Sequence, residues 1–359
     1  MNLLCQKGRK AQSGRTGRCQ GSSQSAVPFR KAYAPTAVGA LALVTTVGLV
    51  IRSSAQSPSA VIAVLCKSEN TLAIVDPGTL KVLGKVPTGI EPHEIALSPD
   101  HKLAVVANYG GPQTGGNLSV IDLVGRKEVR KVDLGALRKP HGLMEAGGKF
   151  YFTAEGNHAV ARYDLKADRV DWLVGTGEPG THMLVVTPNG GKVYAANIGS
   201  GSVSAIDAAA PKGPVVKRIA VGKGPEGIAL SPDGRELWLG HQGGSIVIVD
   251  TATDTVKEKI ETPDANLRLL FTPDGKRVLA PESKTGALVV YDAATRKELG
   301  RLPVGRFPVG ITLDHDAKRA FVSAVNDHKI VVVALDKLAT IGTIEPGQNP
   351  DGIVWVDPR

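Results

Sequence analysis

The chain has few cysteines and few aromatic residues, and both shortages narrow the chemistry it can perform. Two of its three cysteines, Cys5 and Cys19, fall in the first 55 residues, which leaves Cys66 alone in the remainder. A single thiol forms neither an internal disulfide nor a CxxC metal site, so we expect Cys66 to be a buried structural residue in a strand. Aromatic residues make up 4% of the chain, which is too few for a row of base-stacking platforms.

Acidic residues are absent from residues 1–55, whereas eight Lys and Arg residues lie there. These eight cations account for almost all of the net charge of +9, because the rest of the chain holds 35 basic and 34 acidic residues, a net charge of +1. Residues 56–359 therefore lack the excess positive charge that supports binding to a phosphate backbone. Nucleic acid is not an expected partner.

The basic residues of this first segment precede a short apolar run. The run spans Thr36 to Ile51 and carries no charge, but it is short for a membrane span of about 20 residues. Ser53-Ser54-Ala55 follows, with small residues at the positions that signal peptidase requires. The sequence thus predicts a signal peptide over 1–55 and a periplasmic or secreted protein. An uncleaved anchor in the inner membrane is the alternative, and it is the only membrane contact that we expect.

A module of about 42 residues recurs through the rest of the chain. Its clearest copy begins at Gly224, continues through Ser231-Pro232-Asp233-Gly234 and contains two further apolar runs, the second of which ends at Asp250. Each copy reads as four short strands, and the Ser-Pro-Asp-Gly tetrapeptide suits a type I turn. Repeats of this length with several strands each are typical of a β-propeller, in which one repeat forms one blade.

The number of copies predicts how the ring closes. Six complete copies fill residues 92–344, and Gly352–Val356 remains to join three strands near Val61, Thr71 and Lys81. We therefore predict an all-β fold over residues 56–359: a seven-bladed β-propeller of four-stranded antiparallel blades, closed by a composite N- and C-terminal blade. Such closure removes open sheet edges. An Asp ends the third strand of almost every copy, and Asp336 is slightly shifted in the last one. We interpret these residues as Asx-turns rather than calcium ligands, since each lies in a different blade.

Two segments carry a resemblance to a known family. Val105-Val106-Ala107-Asn108 and Val193-Tyr194-Ala195-Ala196-Asn197 are each followed by a Gly-rich turn and a Val-Ser-Ala-Ile-Asp-type strand. This pattern resembles the YVTN-repeat (YncE-like) seven-bladed propellers over roughly residues 60–358. The resemblance implies a secreted, periplasmic or surface-associated protein of a functionally diverse family, with nucleic-acid binding among its functions. Pro140-His141-Gly142-Leu143 and residues 151–157 also look like the streptogramin-lyase type of propeller, in one blade only.

Polar residues gather at equivalent positions where the first strand of each copy begins. Loops at one face of a propeller surround the mouth of its central channel, and function resides in such loops rather than in the fold. Alignment of the copies places these residues at one position of that ring: His93, His141, His182, Glu226, Leu267, Val309 and Asp351. Arg268 follows the ring position of its blade, and these residues lie at or near the ends of second strands: Asn108, Asn197, His241, Glu282 and Glu155.

This ring leads to two functional hypotheses. The first is a monomeric binding or scaffold protein that holds a small molecule or a protein at the channel mouth, with Asn108, Asn197, His241, Arg268, Glu282 and Asp351 as candidate ligand contacts. The second is a metal-dependent lyase or lactonase. In it His93, His141 and His182 bind a divalent transition metal such as Zn, Cu or Fe, and Glu226 or Glu155 acts as general base. The histidines could equally be polar residues that hydrogen-bond neighbouring backbone.

Overall fold

Each copy of the module folds into one four-stranded sheet. The computed structural model describes residues 60–111 and 116–357, so the predicted signal peptide lies outside the described residues. The strands of the first half are β1 (Val61–Cys66), β2 (Thr71–Asp76), β3 (Lys81–Pro87), β4 (Pro92–Leu97), β5 (Leu103–Asn108), β6 (Asn117–Asp122), β7 (Lys127–Asp133), β8 (Pro140–Ala146), β9 (Lys149–Ala154), β10 (Ala159–Asp164), β11 (Arg169–Gly175), β12 (Thr181–Val186), β13 (Lys192–Asn197), β14 (Ser202–Asp207) and β15 (Val215–Ala220).

The second half continues the same pattern. Its strands are β16 (Pro225–Leu230), β17 (Glu236–His241), β18 (Ser245–Asp250), β19 (Thr255–Glu261), β20 (Leu270–Phe271), β21 (Arg277–Glu282), β22 (Ala287–Asp292), β23 (Glu298–Pro303), β24 (Pro308–Leu313), β25 (Arg319–Ala324), β26 (Lys329–Ala334), β27 (Ala339–Ile344) and β28 (Pro350–Val356). Within the described residues, three short 3₁₀ helices follow β1, β9 and β25: Lys67–Glu69, Glu155–Asn157 and Val325–Asp327. None of the helices in the described ranges has the length and apolar character that crossing a lipid bilayer requires.

The seven sheets are the blades of a propeller. Blades 2 to 7 are formed by four consecutive strands each, starting at β4, β8, β12, β16, β20 and β24, while blade 1 has the order β28-β1-β2-β3. The first strand of each blade is innermost, and inner strands of neighbouring blades contact one another around the ring, except that β24 of blade 7 contacts β21 of blade 6. The predicted composite closure is confirmed: β28 runs antiparallel to β1, with Val61 opposite Val356.

The core consists of apolar clusters between adjacent blades. The second and third strands of the blades are buried on both faces, whereas the fourth strands are largely exposed. The buried runs of those middle strands match the expectation for sheets covered on both sides. Cys66 is a free, buried thiol, as predicted, and burial raises its pKa to about 12.

The turns behave as their residues predict. In the Ser-Pro-Asp-Gly turn of blade 5, the Ser231 hydroxyl donates to Asp233 Oδ1 at 2.6 Å, and the Arg235 amide donates to the same oxygen at 3.1 Å. Asp250, at the end of β18, accepts the amides of Ala252 and Thr253 at 2.9 and 3.0 Å. The Asx-turn interpretation is therefore confirmed for this blade, and Asp76, Asp122, Asp164, Asp207 and Asp292 make equivalent bonds.

Candidate functional site

The predicted ring residues lie where the inner strands begin, on one face of the propeller, which we call the mouth face. His93, His141 and His182 are the second residues of β4, β8 and β12, and Glu226 and Asp351 hold the same place in β16 and β28. Hydroxyl groups of neighbouring second strands fix two of these positions. Thr153 donates to the backbone carbonyl of His182 at 2.6 Å, and Ser323 donates to that of Asp351 at 2.9 Å. Each bond ties one blade to the next.

The three histidines form a continuous cluster of rings with Tyr109, which we call the histidine cluster. The His141 and His182 rings stack with centroids 3.7 Å apart, and the His93 and His141 rings are 4.8 Å apart. Tyr109 packs edge-on against His141 at 5.8 Å and lies 5.2 Å from His93. The sequence placed the histidines together correctly but missed Tyr109, which directly follows Asn108 and could have been found from that position.

His182 lies between two carboxylates from neighbouring blades. Its Nδ1 atom is 2.9 Å from Glu155 Oε2, and its Nε2 atom is 3.7 Å from Glu226 Oε1. Burial alone would lower the pKa of His182, but the hydrogen bonds and charges of Glu155 and Glu226 outweigh burial and raise it. The same contacts lower the pKa of both carboxyls against the opposing effect of burial. His182 is thus the histidine of the cluster that favours the protonated form.

His93 and His141 favour the neutral form. Burial is the largest cause that lowers the pKa of each, and for His141 the neighbouring His182 and His93 lower it further. His93 Nδ1 donates to the carbonyl of Glu91 at 2.9 Å, so its Nε2 atom is free to accept. His141 is 3% exposed, and its Nδ1 atom makes no hydrogen bond to any described residue. A buried polar atom without a protein partner costs about 1–3 kcal/mol and calls for an explanation.

An ion pair crosses the central channel beneath this cluster. Arg268 of blade 6 binds Glu94 of blade 2 through a charge-assisted hydrogen bond. Both side chains are nearly buried, and burial raises the pKa of Glu94 although Arg268 opposes that change. The aligned position in four other blades is glycine, and a β-carbon at Gly142 or Gly227 would lie 2.7 Å from a carbonyl oxygen of the next blade.

Comparison of the third residue of each inner strand would have identified Glu94 from the sequence, which our sequence analysis did not do. Glu94 stands third in Pro92-His93-Glu94, where four other blades have glycine, and so marks a blade that departs from the repeat. Arg268 is the matching departure in blade 6, where the inner strand is reduced to β20 and one isolated bridge from Asn266 to Glu282. The first strand of that blade is therefore shorter than in the other copies, because regular pairing begins only after Arg268.

A cavity of about 440 Å³ lies beside the histidine cluster and is called the mouth cavity here. It is lined by these residues: Lys67, Ser68, Glu91, His93, Phe307, Val325, Asn326 and Asn349. One of the lining residues, Lys67, pairs through Nζ with Asp351 Oδ2 at 2.9 Å. The other carboxylate oxygen, Asp351 Oδ1, is buried without a partner among the described residues. Asp351 thus keeps one buried, unpaired oxygen next to a residue that lines the cavity.

A larger cavity of about 530 Å³ lies on the opposite face, between blades 5 and 6. Its charged lining is already paired, since Arg296 binds Glu236 and Glu258 and stacks over Trp238 at 5.1 Å. Its acidic turn residues also accept hydrogen bonds from their own turns. The mouth face, with its unpartnered buried atoms, is therefore the better candidate site.

Four of the predicted ligand contacts are engaged within their own blades. Asn108 donates to Asn117 and Ser119, and Asn197 donates to Ser202 and Ser204, at 2.8–3.1 Å. His241 pairs with Ser245 at 3.0 Å, and Glu282 accepts from Thr285 and Arg301. These four side chains are 0–3% exposed. The structure thus departs from the expectation, because the hydrogen bonds of these side chains close the turns of their own blades.

The histidines do not converge on one point as metal ligands would. Their rings stack instead, and His182 is committed to Glu155 and Glu226. In residues 60–111 and 116–357 no group of three or more His, Cys, Asp or Glu side chains has an arrangement that could hold a metal ion. The metal-ligand hypothesis for these three histidines therefore finds no support in their geometry.

The charge on His182 predicts a pH-dependent stability. A raised histidine pKa stabilises the fold below the ordinary value of 6.5, and this contribution is lost as pH rises through the folded value. We expect wild type to exceed His182→Gln by about 1 kcal/mol in unfolding free energy near pH 5.5, the gain of a charged over a neutral hydrogen bond. The difference should vanish at pH 9. Urea unfolding at both pH values measures it, and a difference independent of pH would contradict the assignment.

Comparisons with known proteins agree with this architecture. A family model described as a YNCE-like beta-propeller matches residues 29–358. The antigen Lp49 of Leptospira interrogans is 28% identical over 201 residues, which cover 49% of this chain and only 42% of that protein. The periplasmic gluconolactonase PpgL of Pseudomonas aeruginosa superposes with a TM-score of 0.68 at 17% identity, covering 84% of this chain and 99% of PpgL.

Hydrazine synthase of Kuenenia stuttgartiensis superposes with a TM-score of 0.65 at 19% identity, covering 75% of this chain and 90% of that chain. At such identities, the likeness to PpgL and to hydrazine synthase concerns the fold alone. The match to Lp49 spans less than half of that protein's length.

Proposed function

This chain belongs to the YncE-like β-propeller family, and we propose that it is a binding protein whose ligand occupies the mouth face. The observation that carries the proposal is that two buried polar atoms beside the mouth cavity, His141 Nδ1 and Asp351 Oδ1, have no hydrogen-bond partner among the described residues. Both lie close to the mouth cavity, since His93 lines it and its ring contacts that of His141, and Lys67 lines it and pairs with Asp351. A cavity with a few convergent polar groups is the usual form of a small-molecule site.

The rigidity of the site supports binding. The residues of the mouth face come from inner strands of several blades, and interblade hydrogen bonds hold their backbone. Side chains on a rigid scaffold lose little conformational freedom when a ligand binds, which favours affinity. The stacked rings of His141 and His182 are likewise held by their neighbours before any ligand arrives.

A fragment library screened by thermal shift tests this proposal. Fragments that stabilise the wild type by binding at the mouth should lose at least tenfold in affinity in His93→Ala, since one lost hydrogen bond and its packing are worth about 1.4 kcal/mol or more. His315→Ala is the matched control, because His315 is an exposed histidine on the opposite face, paired with Asp357 at 3.1 Å. Hits that bind equally well to the wild type and to His93→Ala would refute the mouth face as the binding site.

A second candidate function is acid–base catalysis on a lactone, the substrate class named for PpgL. The observation that favours it is the position of His182 between Glu155 and Glu226, which raise its pKa. A protonated imidazole there could act as a general acid and donate a proton to the leaving oxygen of the lactone. Hydrolysis of gluconolactone by the wild type and by His182→Gln separates the two functions. A general acid contributes about 10²–10⁴-fold to rate, so equal rates in both proteins would exclude this role.

A further inference from the structure

The mouth cavity itself indicates what class of ligand it takes, provided that the proposed binding function is correct. Three of its lining residues have left-handed backbone although none is glycine: Glu91 (φ 53°), Phe307 (φ 53°) and Asn349 (φ 49°). Each stands directly before an inner strand. At the same place blade 3 has Lys139, which is also left-handed (φ 54°) but lies outside the cavity, and blades 4 and 5 have Gly180 and Gly224, also at positive φ.

A side chain at each of these positions therefore makes the left-handed backbone less favourable than glycine would. A non-glycine residue in this region costs of order 1–3 kcal/mol, and a bulky residue such as Phe is a genuine outlier there. Phe307 is nevertheless 39% exposed at the rim of the cavity, so burial of its ring does not offset the strain of its backbone conformation. An exposed aromatic face suits the apolar side of a ring-shaped ligand.

The polar groups of the cavity combine donors with acceptors. His93 Nε2 is an acceptor, because Nδ1 donates to the carbonyl of Glu91. The exposed carboxylate of Glu91 accepts as well, and the ammonium group of Lys67 donates. The side-chain amide of Asn326 can both donate and accept a hydrogen bond, and it makes none to a described residue. A hydroxyl group, which is both donor and acceptor, can satisfy such a mixture, whereas a group that only accepts cannot.

The charge of the cavity favours a neutral ligand. Among the described residues that line it, Lys67 is the only cation, and Asp351 already neutralises it at 2.9 Å. Glu91 contributes an unpaired carboxylate that would repel a phosphate or a sugar acid. Arg306, the nearest guanidinium in sequence to Phe307, is bound to Asp327 and to the carbonyl of Asn326. An anion would therefore meet a negative group and no free positive one.

We propose that the mouth cavity binds a neutral polyhydroxylated ring of monosaccharide size, with one face against Phe307 and its hydroxyls on Glu91, His93, Asn326 and Lys67. The volume of about 440 Å³ accommodates such a ring together with a substituent. The ring lies beside the histidine cluster, so a substituent directed toward the channel would reach His141.

Titration of the full-length protein with defined probes tests the ligand class. The neutral probes are glucose, galactose, mannose and methyl α-D-glucopyranoside; the charged probes are gluconate and glucose 6-phosphate; adenosine is the flat aromatic probe. Binding is followed by calorimetry and by the imidazole NMR signals of His93. We expect at least one neutral sugar to bind and to shift those signals, and the charged probes to bind at least tenfold more weakly.

Two glycine variants make the test specific for the cavity. Phe307→Gly removes the aromatic face and should weaken sugar binding at least tenfold. Lys139→Gly makes the same backbone change (φ 54°) outside the cavity, where the Lys139 ammonium lies over the Tyr109 ring, and should change affinity less than threefold. Both variants should melt within a few degrees of wild type, because glycine relieves the left-handed strain at these positions.

The outcomes separate this inference from the proposed function. If gluconate, glucose 6-phosphate or adenosine shifts the His93 signals and no neutral sugar does, the ligand class is wrong and the mouth face remains a binding site. Sugar binding that survives unchanged in Phe307→Gly would also overturn the inference. If no probe and no library fragment perturbs His93 or His141, both proposals fail together.

Discussion

Deletion of residues 350–359 is expected to abolish the cooperative native fold. These residues contain β28, which pairs with β1 from Val356 to Pro350 and contacts the inner strands of blades 2 and 7. Two of its buried side chains, Ile353 and Val356, are each worth about 1.5–3 kcal/mol of burial. The deletion also removes the interblade hydrogen bonds of β28 and exposes an edge of blade 1. Total stabilities are only about 5–15 kcal/mol, so a loss of this size should unfold the ring.

Thermal unfolding followed by circular dichroism measures this effect. The matched control is a chain that ends at Asp357, which keeps all of β28 and should melt like the wild type. An unchanged midpoint in the longer deletion would show that blade 1 is stable with three strands, and the composite closure would then contribute nothing to the stability of the ring.

Replacement of Arg268 by Met should destabilise the protein by about 3–5 kcal/mol. The variant leaves the carboxylate of Glu94 buried in the channel without its partner, and breaking a buried ion pair by removing one member has a cost of this order. The double variant Glu94→Met/Arg268→Met removes both charges and should lose much less than the sum of the single changes, because an apolar pair leaves no charge unpaired.

The loss in Arg268→Met should also depend on pH in a defined direction. Burial already raises the pKa of Glu94, and removal of the guanidinium raises it further. The protonated carboxyl carries no charge, so the variant should be less destabilised at pH 4 than at pH 7. Urea unfolding of the wild type, both single variants and the double variant at the two pH values gives the coupling energy directly.

Arg306→Met is the control for this cycle. Arg306 pairs with Asp327 at 2.5 Å, but its side chain is 75% exposed, and exposed ion pairs contribute about 0–1 kcal/mol. If Arg268→Met has no larger effect than Arg306→Met, the pair across the channel is not a stabilising element, and its role would have to lie elsewhere.

Some parts of the site follow from the repeat. Alignment of the copies on their turns placed His93, His141 and His182 at one height of neighbouring blades, and the structure brings their rings into contact. Asp351 joins the same ring only because β28 returns to blade 1, a closure that the count of strands had predicted.

Other parts of the site could not be derived in this way. Asn108 and Glu282 also stand at equivalent positions, yet their side chains turn into the blades, because nearby Ser, Thr and Arg side chains offer hydrogen bonds there. Pairing between Glu94 and Arg268 depends on the width of the channel and on the reach of two long side chains 174 positions apart.

The sequence by itself determined the number of blades, their strands and turns, the closure and the position of the histidines. Local signals carry this information, since turn residues and apolar runs act over a few positions and are repeated in every copy. Only the tertiary structure decided which of the aligned polar groups face the channel, which of them neutralise one another, and where a cavity remains. Those properties depend on distances between side chains of different blades, and no local pattern of residues encodes such distances.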